Sequence, residues 1–248
     1  MKRFTWPILL GVSLLIFSTS FYFLHYFIFR DAHHIFLYLV GDVAFVFIEI
    51  LLVSLIIQGL LEYREKSSRL EKLNMVIGAF FSEVGASLIE TLSQLDLEAE
   101  KMQKKFFAGG KSDAEEFQKA RSWMAGHSFN INPNNVDWND LKTFLVERRD
   151  FLLRLLENPN LLEHEMFTDL LWAVFHLEEE LRARKNLQDL PKEDIQHLSG
   201  DVERVYGQVS RQWLKYMEHL ERNYPYLFSL ALRTNPFDQN ASPVIYGA

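Results

Sequence analysis

The sequence contains no cysteine among its 248 residues. This absence excludes a disulfide framework and any metal site built on thiolates, and it is compatible with a reducing compartment. No segment alternates apolar and polar side chains in the manner of a β-strand, and no internal repeat or low-complexity tract is present. Apolar residues instead recur at helical spacing. The sequence therefore predicts an all-α protein.

Charged side chains are nearly absent from the first quarter of the chain. Residues 1–61 contain six of them, three of each sign, whereas the whole chain has a net charge of −7. The acidic excess therefore lies within residues 62–248, a segment long enough to bury a hydrophobic core of its own. Because nucleic-acid-binding domains usually present a basic face, this acidity argues against a nucleic-acid partner.

The first long apolar run extends from Phe4 to Phe29 and contains no Asp, Glu, Lys or Arg over 26 residues. As a helix it would be roughly 39 Å long, more than the ~30 Å hydrocarbon core of a bilayer. A cleaved signal peptide is the alternative, with residues 18–20 as a cleavage site. The run is about twice as long as the apolar core of a signal peptide, which favours an uncleaved transmembrane helix over about residues 4–29.

A second apolar run covers about residues 35–61, after a connection of only five residues. So short a connection requires a tight antiparallel hairpin. Most basic residues near the span ends lie at the open end of this hairpin, and Arg30 alone lies in the connection. Those at the open end are Lys2, Arg3, Arg64, Lys66, Arg69 and Lys72. The positive-inside rule therefore predicts a membrane protein with two spans (domain 1–61) and both termini in the cytoplasm.

The second span contains two carboxylates, Asp42 and Glu49. Each costs about 2.5–3.5 kcal/mol on insertion scales, so neither is expected to face lipid. They share a helical face with Tyr38, and Tyr22 and Ser18 of the first span are expected at similar depths as hydrogen-bond partners. This polar face has two interpretations: it lines a pore or proton path in a homo-oligomer, or it holds helices together through protonated acids.

A group of histidines lies at the outer end of the predicted hairpin: His25, His33 and His34, with Asp31 beside them. Imidazole and carboxylate are ligands for zinc and other divalent ions, so the group is a candidate outer metal-binding or pH-sensing site. The alternative is that these are amphipathic residues tolerated at a membrane boundary. Their spacing matches no ligand signature, and the sequence predicts no cofactor.

The second span is predicted to continue into the cytoplasm, because no proline or glycine pair follows Leu61 before Gly109–Gly110. Apolar or small residues recur every three or four positions, which is typical of a heptad seam. A helix from Ile35 to Phe107 would be ~110 Å long, which predicts a stalk over residues 62–110 or an oligomer. The seam is expected to pack either between copies of the chain or within one subunit. Contact of residues 74–92 with the membrane is a third alternative. Its principal members are Leu70, Leu73, Ile77, Gly78, Phe80, Val84 and Gly85.

Residues 111–233 are predicted to form a cytoplasmic helical bundle. Capping residues, loop-forming Asn/Pro clusters and Pro191 divide this part of the chain into helices. The predicted helices cover about 112–125, 137–157, 162–186, 191–222 and 226–233. Residues 234–248 are expected to form an extended tail. Five aromatic residues are predicted to lie in the core: Trp123, Trp138, Trp172, Phe175 and Trp213.

No catalytic motif is complete. His164–Glu165 begins like a zinc-protease helix, but Thr168 stands where the second histidine is required. Helical bundles also build metal sites from Glu and Glu-x-x-His pairs, although no such pair is present here. The candidates for a bundle metal site are Asp169, His176 and Glu180 on one predicted helix and Glu193 and His197 on the next. The alternative is that these residues form solvated helix faces.

These observations lead to three hypotheses. The first is a non-enzymatic, homo-oligomeric, membrane-anchored scaffold or signalling module, whose partners are membrane lipid, further copies of itself and a cytoplasmic protein. The second is a small cation or proton channel lined by the acids of the second span. The third is a metal-binding enzyme in the helical bundle.

Overall fold

The computed structural model describes residues 5–96, 98, 114–158, 161 and 164–245. Over these residues the α-helices are α1 Thr5–Phe29, α2 Ala32–Phe80, α3 Ala86–Ser93, α4 Ala114–Gly126, α5 Trp138–Glu147, α6 Arg149–Leu156, α7 Glu165–Ala183, α8 Lys192–Asn223 and α9 Pro225–Arg233. A π-helical turn, Phe81–Gly85, joins α2 to α3, and a 3-10 turn, Pro133–Asn135, precedes α5. The predicted all-α class is confirmed.

The chain divides into two compact units, residues 1–66 and 67–248. In the first unit, α1 and the beginning of α2 are connected by Arg30 and Asp31 alone. Arg30 adopts a positive φ of 54°, which reverses the chain after α1. Asp31 Oδ1 accepts a hydrogen bond from the backbone N–H of His34 at 3.2 Å and thereby caps α2. The two apolar helices therefore follow each other through a connection of two residues, shorter than the five residues expected from the sequence.

Two helical segments are long and apolar enough to cross a membrane, judged by length and composition. They are Ile8–Phe29 and Ala32–Ser93, and no residue of the most apolar window in either segment is buried by the protein itself. The apolar side chains of the second unit behave differently, because the hydrophobic residues that the fold buries all lie between Leu73 and Phe237. The second unit therefore has a core of its own.

Helix α8 is the central helix of the second unit. It contacts α3, α4, α7, α9 and the π-helical turn. The side chains of Val202, Val205, Tyr206 and Val209 are completely buried along it. These side chains recur every three or four residues and form ridges along the helix. In this way α8 presents apolar side chains to several neighbouring elements at once.

The predicted long stalk ends earlier than its sequence pattern indicated. The continuous helical segment stops at Ser93, where the amides of Leu95 and Asp96 form turn-type hydrogen bonds. The carbonyl of Leu95 then accepts a hydrogen bond from Asn132 N–H at 3.0 Å, so a loop takes over the backbone pairing. Residues 97 and 99–113, which include the predicted helix stop at 109–110, lie outside the described residues.

The seam residues pack within the chain. Leu73, Ile77, Phe80 and Val84 are buried in the second unit, while Leu70 remains exposed. The Phe80 ring meets the rings of Phe81 and Phe167 edge to face, with centroids 5.4 Å apart in both pairs.

The two seam glycines are closely covered by aromatic rings. A Cβ on Gly78 would lie 3.1 Å from the hydroxyl of Tyr216, and one on Gly85 would lie within 2.7 Å of the Phe80 and Phe81 rings. The buried residues of the seam are therefore covered by side chains of the same chain, as expected if the seam packs within one subunit.

The predicted helix over 137–157 is two helices. Asp137 caps α5 as expected, accepting from the amides of Asn139 and Asp140 at 3.0 Å. The break falls at Arg148, whose φ and ψ of −99° and 2° leave the helical region. Its Nε donates to the carbonyl of Glu83 at 3.0 Å, which ties the break to the π-helical turn.

One predicted core tryptophan is exposed. Trp138, Phe175 and Trp213 are buried and Trp123 is half-buried, but Trp172 has 58% of its surface exposed. The buried positions of α7 form a broad stripe through residues 167, 170, 171, 173, 174, 175, 177, 178 and 181. Position 172 lies outside this stripe. The apolar residues next to Trp172 in the sequence therefore do not indicate that Trp172 itself is buried.

The predicted extended tail begins inside the core. Phe237 is buried, and its ring meets Trp213 edge to face at 5.3 Å. Ser93 Oγ donates to the carbonyl of Pro236 at 3.4 Å. The segment after α9 thus joins the end of α3 to α8.

Candidate functional site

Three polar contacts connect the end of α7 to the beginning of α8. The pairs are His176 with Asp201, Glu180 with His197 and Arg184 with Asp194. As the residue number rises along α7, the number of its partner on α8 falls, so the two helices are antiparallel here. The residues are four apart along α7 and three or four apart along α8, so on each helix they lie on one face.

Four of these side chains form what we call the His–acid cluster: His176, Glu180, His197 and Asp201. The Nε2 atoms of both histidines lie 3.5 Å from Oδ2 of Asp201. The carboxylate of Glu180 lies 3.6 Å from His197 Nε2 and 3.9 Å from His176 Nε2. All four separations exceed normal hydrogen-bond distances, so the donor and acceptor atoms surround a small gap.

The cluster has a buried side and an open side. Asp201 is 2% exposed, and its Oδ2 has no hydrogen-bond partner, although its Oδ1 accepts from Arg204 Nη1 at 2.7 Å. The side chains of His176 and His197 are 46% and 52% exposed. Solutes can therefore reach the imidazoles, while the Asp201 oxygen faces them from the protein interior.

Arg184 binds two acids of this region, Glu180 and Asp194. Arg184 Nη1 donates to Glu180 Oε2 at 2.6 Å, and Arg184 also binds both oxygens of Asp194. The hydrogen bond from Arg184 holds the pKa of Glu180 and that of Asp194 below their ordinary values. The hydrogen bond to Asp194, and after it the one to Glu180, raise the pKa of Arg184.

A second buried acid, Glu178, lies outside the His–acid cluster and forms ion pairs with arginines. It is completely buried and forms an ion pair with Arg149, whose guanidinium lies 4.5 Å from the centre of the Phe175 ring. Arg182 Nε lies 3.0 Å from its other oxygen. Two cations therefore compensate the charge of Glu178, and this contact joins α6 to α7.

The sequence identified three of the four cluster residues. His176, Glu180 and His197 come together as candidate ligands, with their ligating atoms all within 4.8 Å of one another. Asp169 and Glu193 are exposed and are not part of the cluster. Asp201 was missed, although it follows His197 by four residues, the same spacing that joins Glu180 to His176.

The polar face of the first unit lacks the expected hydrogen bonds. Asp42 and Glu49 are exposed, and neither forms a hydrogen bond or ion pair with another described residue. The hydroxyls of Tyr22 and Ser18 do not bind them, contrary to the expectation from helix depth. Tyr38 instead packs its ring against His34, with centroids 4.6 Å apart.

The outer histidines form a ring contact. His25 and His34 lie nearly parallel with centroids 5.9 Å apart, at the edge of a cleft of about 700 Å³ between α1 and α2. Asp31 is engaged in capping α2, and His33 takes no part in the ring contact. Across the described part of the chain, His176, Glu180 and His197 of the His–acid cluster have the grouping expected of metal ligands, and these residues of the first unit do not.

The comparisons with known proteins match both parts of the chain. A family model described as "MJ1433, N-terminal helical domain" matches residues 2–61, and one described as "Uncharacterized protein MJ1433, C-terminal helical domain" matches residues 69–233. The protein MJ1433 of Methanocaldococcus jannaschii is 43% identical over 234 residues, covering 94% of each chain. No solved structure matches. The chain therefore belongs to the MJ1433 family of two-domain helical proteins.

Proposed function

We propose that this protein is a membrane-anchored helical module in which residues 1–61 span the bilayer twice and hold the folded second unit at the cytoplasmic face. The observation that carries the proposal is the exposure of most apolar side chains in the first unit. Phe17, Phe23, Phe27 and Phe47 are examples, each more than half exposed. Soluble monomers rarely expose a contiguous apolar patch of more than a few hundred Å², so a lipid environment is the natural cover.

We assign the second unit the role of an interaction module. Its core is formed by its own side chains, and the sequence contains no complete catalytic motif. Its partners would be a cytoplasmic protein and further copies of the chain. Basic residues before the first span and after the second, such as Lys2 and Arg64, would keep both termini in the cytoplasm.

Self-association within the membrane follows from the two acids of α2. Asp42 and Glu49 have no partner among the described side chains, and a lipid-facing carboxylate costs about 2.5–3.5 kcal/mol. Bringing these faces together between copies would give each protonated acid a hydrogen-bond partner. Interhelical hydrogen bonds of this kind contribute about 1–2 kcal/mol in model peptides.

Replacing both acids by leucine is expected to weaken the oligomer. Each interhelical hydrogen bond lost corresponds to roughly tenfold weaker association, because about 1.4 kcal/mol is one decade in affinity. Native mass spectrometry of the full-length protein in mild detergent measures this directly. We expect the wild type to be oligomeric and the Asp42→Leu/Glu49→Leu variant to shift towards monomer. A wild type that is monomeric across concentrations would contradict the self-association.

A channel is a second candidate function, because the same unpartnered carboxylates would line the axis of a ring of four or more copies. The Asp42→Asn/Glu49→Gln variant separates the two functions, since amides retain hydrogen bonding and lose the charge. A channel requires that cation or proton flux into liposomes falls in this variant while the oligomer persists. Absence of flux in the wild type leaves the anchored module.

A further inference from the structure

We propose that the His–acid cluster binds one divalent transition-metal ion of the zinc class. This site is distinct from membrane anchoring and does not depend on it. Two imidazoles and two carboxylates form a donor set that Zn²⁺ binds in proteins and that Fe²⁺, Co²⁺ and Mn²⁺ also accept.

The spacing of the donor atoms approaches that of such an ion: His176, Glu180 and His197 each offer a ligand atom within 4.8 Å of the other two, and Oδ2 of Asp201 adds a donor close to both imidazoles. Zinc bonds to nitrogen and oxygen of about 2.0–2.1 Å imply distances of roughly 3.3–3.4 Å between ligand atoms in a tetrahedral site. His176 Nε2 and His197 Nε2 both lie 3.5 Å from Asp201 Oδ2, and Glu180 Oε2 lies 3.6 Å from His197 Nε2. Small movements of exposed side chains would complete the coordination.

The buried oxygen of Asp201 supplies an independent reason. A carboxylate oxygen removed from water requires a partner, and Oδ2 of Asp201 has no hydrogen bond while it faces two imidazole nitrogens. A neutral imidazole nitrogen that carries a lone pair cannot satisfy it. A cation placed between the oxygen and both nitrogens satisfies all three atoms. Protonated imidazoles are the rival explanation, which the experiment below separates.

The surrounding charges orient the ligands. Arg204 binds Oδ1 of Asp201 and leaves Oδ2 directed at the histidines. Arg184 donates to Oε2 of Glu180, the oxygen that faces His197, and Oε1 is the oxygen nearer to His176. Hydrogen bonds of this kind to ligating carboxylates are a regular feature of metal sites. With Asp194 included, three carboxylates face two guanidinium groups, so neutral histidines leave one net negative charge for a cation.

The fold makes the arrangement rigid on one side and accessible on the other. Two pairs of residues four apart on antiparallel helices present all four side chains across one interface. The half-exposed imidazoles give a metal ion a path from solvent and leave space for a water ligand at a further coordination position.

The test is zinc titration of chelator-treated, full-length protein in mild detergent by calorimetry, with Co²⁺ absorption spectra as a second probe of the coordination geometry. We expect one Zn²⁺ per chain. The substitutions His176→Ala and His197→Ala should each weaken zinc binding by at least about 100-fold. Loss of a residue that only hydrogen-bonds to a metal ligand weakens metal binding by about 10–100-fold, and these substitutions remove a ligand itself. Both histidines are half exposed, so circular dichroism should show that the variants fold.

Two control variants locate the ion. Asp169→Asn changes an exposed acid on the same helix that lies outside the cluster, and His33→Ala changes an outer histidine of the first unit. Both should bind zinc as the wild type does. Absence of zinc binding by the wild type would leave protonated imidazoles as the explanation of the cluster and overturn the proposal. Unchanged affinity in His197→Ala, or binding lost in His33→Ala, would also overturn it.

Discussion

Removal of residues 1–66 is expected to transfer the protein from the membrane fraction to the soluble fraction. The full-length protein should stay in the pellet after an alkaline carbonate wash, because two transmembrane helices insert in an effectively irreversible manner. The fragment 67–248 retains the buried hydrophobic residues between Leu73 and Phe237 and should stay folded in solution. Fractionation followed by circular dichroism of the soluble fragment measures both expectations.

The matched control is residues 1–66 fused to a soluble reporter, which should carry the reporter into the pellet. A full-length protein extracted by carbonate would contradict membrane insertion. A fragment that remained in the pellet while folded would assign membrane binding to the second unit.

Phe80→Ala is expected to destabilise the fragment 67–248 by about 3–5 kcal/mol, the usual cost of truncating a buried phenylalanine. Phe80 is completely buried and contacts the rings of Phe81 and Phe167, which would border the resulting cavity. Urea denaturation measures the free energy of unfolding. The expected loss is independent of protein concentration, because the cavity forms inside one chain.

Met75→Ala is the control for this substitution. Met75 lies on the same helix and is exposed, so its truncation should change the free energy of unfolding by less than about 0.5 kcal/mol. An oligomer interface at the seam would give another result. The unfolding midpoint of the wild type would then rise with protein concentration, and Phe80→Ala would abolish that dependence.

Much of the helical architecture could be predicted because the signals are local. The cap at Asp137 depends on neighbouring residues alone, as does the turn between α1 and α2. Helix ends set by distant contacts could not be predicted in this way. The helix after Phe80 stops at Ser93, and just beyond it the carbonyl of Leu95 accepts a hydrogen bond from the distant Asn132.

The identity of a packing partner is a second limit of sequence patterns. The seam through Ile77 and Phe80 has the same spacing whether a second copy or the same chain covers it, and here the same chain does so. Trp172 shows the related problem that hydrophobicity alone does not specify the face on which a residue lies.

The candidate metal site was only partly predictable for a similar reason. His176 and Glu180 share a helix face by their spacing, but their position opposite His197 depends on the register between α7 and α8. Asp201 gains its importance from burial, which a single acid in an acidic helix does not reveal.

The topology of the first unit tests the central claim most directly, and the absence of cysteine makes this measurement clean. Each of the variants His33→Cys and Asn134→Cys would carry one thiol. The first lies in the first turn of α2, and the second lies in the 3-10 turn of the second unit. A membrane-impermeant maleimide applied to spheroplasts should label His33→Cys at once and Asn134→Cys only after lysis. Labelling of Asn134→Cys from outside, or of His33→Cys only after lysis, would contradict a two-span anchor with a cytoplasmic helical domain.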